Sequence, residues 1–198
     1  MNVRSLLPLA ALAAACAGAP AASPPSSASP SAGGAAPFFP LAVGNEWVYR
    51  DESPALPAER RGATRTVRIL ERTADGFYRD NERGELRMDA ECLRDRSRRL
   101  LCAPIEVGRS WSSVVSVSST ERYEIAGVGE SVETPAGRFD GCVRVRAHNR
   151  AGPGTDHVLE ITYAPRVGPV RIETFAVIDG KAAPQIRALL QSYKTAVR

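Results

Sequence analysis

Apolar and polar side chains alternate with a period of two in several segments of the chain. The clearest examples are residues 64–70, 142–146, 157–163 and 170–177, which are rich in valine, isoleucine and threonine. Alternating side chains point to opposite faces of a β-strand, and β-branched residues are enriched in strands. Each segment is therefore predicted to form a strand with one apolar face and one face of arginine, glutamate and threonine.

Short runs of turn-forming residues separate the predicted strands. These runs occupy residues 74–76, 81–84, 151–154 and 179–180. They contain the glycine, asparagine, aspartate and proline residues that tight turns require. Closely spaced strands joined by short turns indicate a meander. The predicted fold is therefore mainly β, a single curved antiparallel sheet or half-barrel. The serine-rich and valine-rich segment 111–119 fits this architecture, because its composition makes a poor helix.

The last segment, 185–197, supports two interpretations. Its apolar residues recur at helical spacing, which is typical of a short amphipathic C-terminal helix. The segment also follows a predicted strand and a polar turn, which is the position of a closing strand, and we favour the strand. The apolar residues concerned are Ile186, Leu189, Leu190, Tyr193 and Val197.

One pattern of eight residues occurs twice in the chain. Residues 40–47 and 104–111 share the sequence P-[L/I]-x-V-G-x-x-W, and the two copies contain the only tryptophans, Trp47 and Trp111. Proline favours an extended approach to a turn, glycine permits the turn, and a large aromatic ring anchors the strand that follows. We predict that both indoles pack into one core. The alternative is that they form paired aromatic platforms for a ligand.

The composition is that of a single globular domain. The chain has 198 residues, 43% of them hydrophobic, and 26 basic against 22 acidic residues give a net charge of +4. A nucleic-acid surface concentrates positive charge on one face. Here the arginines of the predicted strands are interleaved with Glu71, Asp140 and Glu160, so no nucleic-acid partner is expected.

The N-terminal sequence has the features of an export signal. Arg4 precedes an apolar run, residues 6–15, that is too short to span a bilayer. The small residues before Cys16 resemble a bacterial lipobox, in which a peptidase cuts before the cysteine and that cysteine then carries lipid. The alternative is an ordinary secretory signal cut at an Ala-x-Ala site, 13–15 or 17–19.

These features divide the chain into three parts. Residues 1–15 are predicted to be a lipoprotein signal peptide, 16–36 the lipidated cysteine with a flexible tether of Ala, Gly, Pro and Ser, and 37–198 an antiparallel β domain. The partner of the N-terminal lipid is then a membrane. Ala17 stands where many inner-membrane lipoproteins carry aspartate, which favours an outer-membrane lipoprotein facing the periplasm or the cell surface.

An exported chain can form disulfide bonds. With Cys16 lipidated, three cysteines remain, and Cys92 and Cys102 flank a polar turn centred on Ser97. In an antiparallel hairpin with that turn, the two cysteines would lie opposite each other within bridging distance. We predict a Cys92–Cys102 disulfide and expect Cys142 to be a small buried apolar residue.

Three longer motifs resemble those of small β-rich bacterial envelope lipoproteins. They are F-P-L-x-x-G-N-x-W-x-Y at residues 39–49, E-T-P-A-G-x-F-x-x-C at 133–142 and Y-A-P-x-V-G-x-V at 163–170. Proteins of that group are mostly of unknown function. The resemblance implies a curved antiparallel sheet, similar to the half-barrel of lipoprotein carriers, and it supplies no catalytic residues.

The sequence contains no recognisable catalytic constellation and implies no cofactor, so an enzyme is not expected. His148 and His157 lie near no G-x-S-x-G turn, and no phosphate-binding glycine loop is present. The two histidines flank the 152–154 turn symmetrically, which suggests that they face each other across a hairpin. With Asp156 they form a weak candidate metal site. Exposed histidines near a loop are the alternative.

We therefore expect a non-catalytic, lipid-anchored envelope protein that binds an apolar ligand or an envelope protein partner on a concave sheet. Aromatic residues of the predicted strands are the candidate pocket residues. A structural or interaction module with a solid core and no small-molecule pocket is one alternative, and a hydrolase is the least favoured. The candidate pocket residues are Trp47, Tyr49, Trp111 and Phe139.

Overall fold

The computed structural model describes residues 34–57, 59 and 61–196. The predicted signal peptide, Cys16 and most of the predicted tether lie outside the described residues. The described residues form twelve strands and one short 3-10 turn, Ala36–Phe38, so the prediction of a mainly β fold is confirmed. The first six strands are β1 (Glu46–Asp51), β2 (Thr64–Arg72), β3 (Tyr78–Asp80), β4 (Glu85–Met88), β5 (Cys92–Arg94) and β6 (Arg99–Cys102). The other six are β7 (Ser110–Ser116), β8 (Ser119–Thr134), β9 (Gly137–Gly152), β10 (Thr155–Ala164), β11 (Gly168–Ile178) and β12 (Lys181–Lys194).

All twelve strands belong to one antiparallel sheet in the order β6-β5-β4-β3-β2-β1-β12-β11-β10-β9-β8-β7. Strands that follow each other in sequence therefore pair, with the exception of β6 and β7. The first strand also pairs with the last, from Glu46 opposite Lys194 to Asp51 opposite Ala188. The sheet curves until its edge strands, β6 and β7, approach each other, so the predicted curved sheet is a nearly closed, barrel-like one.

Side-chain hydrogen bonds join the two edge strands. Trp111 Nε1 in β7 donates to the carbonyl of Arg99 in β6 at 2.6 Å, and the Arg99 N–H donates to Ser113 Oγ at 3.0 Å. The Arg99 guanidinium also donates to the carbonyl of Ser112 at 2.7 Å. We call this junction, formed by Arg99 and residues 111–113, the seam. Among the described residues no backbone ladder crosses it, so the seam depends on these few contacts.

The two copies of the repeated pattern form the same turn at the start of β1 and of β7. Gly44 and Gly108 have φ angles of +88° and +87°, a left-handed conformation that glycine adopts without a Cβ clash. The Gly44 N–H donates to the carbonyl of Ile69 at 2.9 Å, and the Gly108 N–H donates to that of Ile125 at 2.9 Å. Each copy thus fastens the start of its strand to the next strand, and each begins a meander of six strands.

The apolar core lies on the inner face of the sheet. Trp47 and Trp111 expose 1% and 8% of their surface and belong to one apolar cluster, as predicted. Trp47 packs against Phe39, and its Nε1 donates to the carbonyl of Val167 at 2.7 Å. Trp111 stacks on Tyr123 with ring centres 5.7 Å apart. Both indoles are therefore core anchors, and the alternative of paired aromatic platforms for a ligand is wrong.

The outer face of β8–β12 carries the charged side chains that the alternation predicts. Arg146 lies 2.6 Å from Glu160 and 3.2 Å from Glu124, and Arg187 lies 2.7 Å from Glu173. These five residues form one row of cross-strand neighbours. Opposite charges across neighbouring strands stabilise a sheet. The row balances its arginines with glutamates instead of presenting a basic surface.

The C-terminal segment is a strand, so the favoured interpretation is confirmed and the helical one is wrong. Residues 181–189 pair with β11, and residues 188–194 pair with β1. Leu190 and Tyr193 both point toward the inner face although two residues separate them, because the pairing with β1 contains a bulge. This bulge explains the three-residue spacing that resembles a helix. Val197 lies outside the described residues.

Within the described part of the chain, no helix is long and apolar enough to cross a bilayer.

The three cysteines among the described residues lie in β5, β6 and β9. Cys92 in β5 and Cys102 in β6 are directly opposite each other and form a disulfide. Cys142 in β9 is a buried free thiol that donates to the carbonyl of Phe139 at 3.4 Å. Burial raises the pKa of the Cys142 thiol to about 11, so the thiol stays neutral at physiological pH.

Candidate ligand-binding groove

A groove with a volume of about 1320 Å³ opens at one end of the sheet. Its walls come from the last residues of β2, β4, β10 and β12, the first residues of β3 and β9, and the chain that leads into β1. Successive strands of an antiparallel meander reverse direction, so these termini meet at the same end. We call this site the end groove.

Aromatic and aliphatic side chains form the apolar part of the end groove. Phe139 and Tyr193 pack with ring centres 6.0 Å apart, and Tyr193 is 43% exposed. Tyr78 and Met88 are half-buried and pack against the core, as does Leu41. These side chains present a partly exposed apolar surface that rests on a packed core, which is typical of ligand pockets.

The chain that leads into β1 closes one side of the end groove. The Arg166 N–H in the β10–β11 turn donates to the carbonyl of Pro37 at 2.7 Å. Phe39 is buried and packs against both Trp47 and Tyr163. This wall is therefore attached to the folded core by an aromatic anchor and a backbone hydrogen bond.

Arginine is in excess among the charged residues of the end groove. Four arginines against two aspartates give the lining a net charge of +2. Asp140 accepts a hydrogen bond from Arg138 at 3.0 Å, and Asp75 is paired with Arg96, which lies outside the lining. The charged residues of the lining are Arg72, Arg87, Arg138, Arg166, Asp75 and Asp140. Among the described residues, no carboxylate lies within 4.0 Å of the guanidinium groups of Arg72, Arg87 or Arg166.

Two of these arginines converge on the β2–β3 turn. A β-carbon added at Gly76 would lie 3.8 Å from Arg72 Nη2 and 3.8 Å from Arg87 Cδ. Gly76 has a φ angle of +84°, so the turn itself also requires glycine. Arg72 and Arg87 therefore place two guanidinium-bearing side chains beside one small residue at the edge of the groove.

The pKa of Asp75 should depend on Arg96. The Arg96 side-chain hydrogen bond, helped by the Thr73 hydroxyl, lowers the pKa of Asp75 to about 2. Because this value is below the ordinary one, the pairing favours the folded state above pH ~4, and the contribution is lost as the pH falls toward 2. We expect Arg96→Gln to raise the pKa of Asp75 toward ~3.9, as measured by NMR titration of the side-chain carboxyl. Arg138→Gln is the control and should leave this pKa unchanged. A pKa that stays near 2 without Arg96 would contradict the assignment.

One of the four predicted pocket residues, Phe139, lines the end groove, and the other three do not. Trp47 and Trp111 are in the core, and Tyr49 is 4% exposed with its hydroxyl donating to the carbonyl of Pro169 at 3.0 Å. The prediction placed a pocket on the apolar strand face. That face is filled by close packing, and the open space lies beyond the strand ends.

The expectation that His148 and His157 face each other is wrong. His157 lies opposite Asn149, and His148 lies opposite Val158, so the two imidazoles point to opposite faces of the sheet. The register shifts between Thr155 and its neighbour, and a slip of one position reverses the face of a side chain. Both histidines are exposed. Among the described residues, no group of three or more His, Cys, Asp or Glu side chains is placed to hold a metal ion.

Sequence reasoning missed most of the end groove. Tyr78 and Met88 in the β3–β4 hairpin are far in sequence from Tyr193 in β12, and Arg72 is likewise far from Arg138. Each of these residues sits at or beside a strand terminus. The predicted turn at 74–76 is the one local feature of the sequence that points to the groove, because it marks a strand end with exposed side chains.

No protein-family model matches the chain, and no curated protein matches its sequence. Two solved structures that resemble it are bacterial proteins. One, assigned as a lipoprotein of Parabacteroides distasonis ATCC 8503, is 16% identical with a TM-score of 0.41, and the match covers 79% of this chain and 98% of that one. The other, assigned as an exported protein with a YmcC-like fold from Bacteroides fragilis NCTC 9343, is 15% identical with a TM-score of 0.42, covering 80% and 99%. Resemblances at this level carry no functional conclusion.

Proposed function

We propose that this protein is an exported, lipid-anchored envelope protein that binds an apolar ligand in the end groove without catalysing a reaction. The observation that carries the proposal is the groove itself, with a volume of about 1320 Å³ and a partly exposed apolar lining. Small-molecule pockets commonly measure about 300–1,000 Å³, so the groove has room for a ligand with a long apolar chain. Burial of that chain against Phe139 and Tyr193 supplies the favourable free energy of binding.

The chemistry of the lining supports binding rather than hydrolysis. Both histidines lie outside the described lining, and the carboxylates of Asp75 and Asp140 are each paired with an arginine. The Arg96 hydrogen bond lowers the pKa of Asp75, and hydrogen bonds from the Ser131 hydroxyl and then from Arg138 lower the pKa of Asp140. A general acid or base works best with a pKa near the operating pH, and two carboxylates held in the ionised form do not meet that requirement.

The N-terminal sequence supports attachment to a membrane. The signal sequence and Cys16 favour a lipid anchor, and Ala17 favours the outer membrane, with the β domain in the periplasm or at the cell surface. The tether predicted for residues 16–36 would have a typical reach of roughly 25 Å. The tether would let the end groove meet a ligand at the membrane surface while the domain stays in the aqueous phase.

Titration with the neutral fluorophore N-phenyl-1-naphthylamine tests the proposed binding. The protein used is the full chain with Cys16→Ser, so that neither lipid nor detergent competes for the probe. We expect saturable fluorescence enhancement and a roughly tenfold weaker affinity for Tyr193→Ala, because the ring supplies apolar contact with the ligand. Tyr193 is 43% exposed, so its removal leaves the core packed.

Val114→Ala is the matched control for this titration. Val114 is 71% exposed, lies on β7 and is not part of the groove lining. Its truncation should leave the affinity for the fluorophore unchanged. Absence of saturable binding, or equal weakening by both variants, would overturn the proposal and favour an interaction module without a small-molecule pocket.

A further inference from the structure

Arg72 and Arg87 have hydrogen-bonding capacity that the protein does not use. Each guanidinium lies over an aromatic ring, Arg72 at 5.7 Å from the centre of Tyr78 and Arg87 at 4.7 Å from the centre of Phe77. Stacking of this kind holds a guanidinium in place and leaves its N–H donors free. Among the described residues, the one hydrogen bond from either guanidinium runs from Arg87 Nη1 to the carbonyl of Asp75 at 3.3 Å. Most donors of the pair therefore remain available to a ligand.

The nearby carboxylates do not neutralise this pair. The Asp75 side chain is engaged by Arg96 and by the Thr73 hydroxyl, which donates to it at 2.6 Å. The lining as a whole keeps a net charge of +2. An anion placed between Arg72 and Arg87 would meet two positive charges with no carboxylate of the described residues within 4.0 Å of either. Charge-assisted hydrogen bonds of this type are about twice as strong as neutral ones.

The apolar lining begins beside the two arginines. Arg72 and Tyr78 are cross-strand partners, so their side chains share one face, and Arg87 and Met88 both line the groove at the end of β4. Both Tyr78 and Met88 line the same groove as Phe139. A ligand with its charged end at the arginines would therefore place its chain directly on apolar side chains.

We infer that the ligand class is an anionic amphiphile, with one carboxylate or phosphate head bound by Arg72 and Arg87 and an apolar chain in the end groove. The inference rests on the proposed function, because it names the ligand chemistry of the same site. Guanidinium groups match carboxylate and phosphate oxygens with pairs of N–H donors. The stacked, carboxylate-free arrangement of the two arginines selects against neutral amphiphiles, which would leave both charges partly desolvated and unpaired.

The test compares two fluorescent probes that share one hydrocarbon chain, cis-parinaric acid and its methyl ester. The protein is the full-length Cys16→Ser variant. We expect the acid to bind at least tenfold more tightly than the ester. The double variant Arg72→Gln, Arg87→Gln should bring the two affinities within threefold. Arg122→Gln, an exposed arginine of β8 outside the lining, is the control and should keep the full preference.

Competition then distinguishes the two head groups. Oleate and oleoyl lysophosphatidate should each displace cis-parinaric acid at lower concentration than monooleoylglycerol, and the stronger of the two identifies the preferred anion. Equal affinity of the wild-type protein for acid and ester would overturn the inference and leave the proposed function standing. Failure of N-phenyl-1-naphthylamine and of both parinaric probes would overturn both. The comparison of acid with ester uses only the wild-type groove, so it does not depend on how the arginine variants fold.

Discussion

Trp47→Ala is expected to lower the free energy of unfolding by about 3–5 kcal/mol, the range found when large aromatic residues are removed from cores. Trp47 is 1% exposed, packs against Phe39 and donates a hydrogen bond to the carbonyl of Val167. A β-carbon at Gly168 would lie only 3.1 Å from its Nε1, so the ring also fills the space beside the β10–β11 turn. Truncation would leave a cavity and an unpaired carbonyl at the point where β1 joins the rest of the core.

Urea unfolding followed by far-UV circular dichroism measures this loss. Val43→Ala is the control, because Val43 lies in the same repeated turn but is 55% exposed. The control should change the free energy of unfolding by less than about 0.5 kcal/mol. A loss below about 1 kcal/mol for Trp47→Ala would show that the repeated tryptophan is not a core anchor.

Removal of the disulfide is expected to have the second largest effect. The bond closes a loop with a sequence separation of 10 between Cys92 and Cys102. Loop-closure entropy predicts that the double variant Cys92→Ala, Cys102→Ala loses roughly 2–3 kcal/mol of stability. The loss should be focused on the seam, because β6 contributes Arg99 to that junction. Hydrogen exchange should therefore become faster in β5, β6 and β7 before it does in β9 and β10.

Thiol counting provides the matched control for the disulfide. With Cys16→Ser, the unfolded chain should show one reactive thiol, that of Cys142, and the native chain should react slowly. Cys142 is buried, and burial raises its pKa to about 11, so little thiolate is present at neutral pH. Three reactive thiols in the unfolded, unreduced chain would contradict the bridge.

The strands and the core anchors could be predicted because their signals are local. Alternation in residues 157–163 and the β-branched content of 170–177 correspond to β10 and β11. The repeated glycine and tryptophan positions predicted two equivalent turns, and Gly44 and Gly108 adopt nearly the same positive φ. Each of these features depends on a few neighbouring residues, so a single sequence is sufficient to predict it.

The pairing register and the groove could not be predicted because they depend on distant parts of the chain. Residue numbers alone placed His148 and His157 opposite each other, but a register shift beside Thr155 moved them to opposite faces. Arg72 and Tyr193 lie in one groove because β2 and β12 both pair with β1 and end at the same end of the sheet. That proximity follows from the pairing of the first strand with the last, for which the alternation carries no signal.

The pairing of the first strand with the last has a consequence for how the chain acquires its structure. Asn45 Oδ1 accepts a hydrogen bond from the N–H of Ala196 at 2.8 Å, across a sequence separation of 151 residues. Such distant contacts raise the contact order, which slows folding. During synthesis, β1 has no second neighbour until the final strand emerges, and an unpaired strand edge is prone to aggregation. Truncation of β12 would therefore leave β1 with an unpaired edge, and we expect that edge to make the truncated chain prone to aggregation.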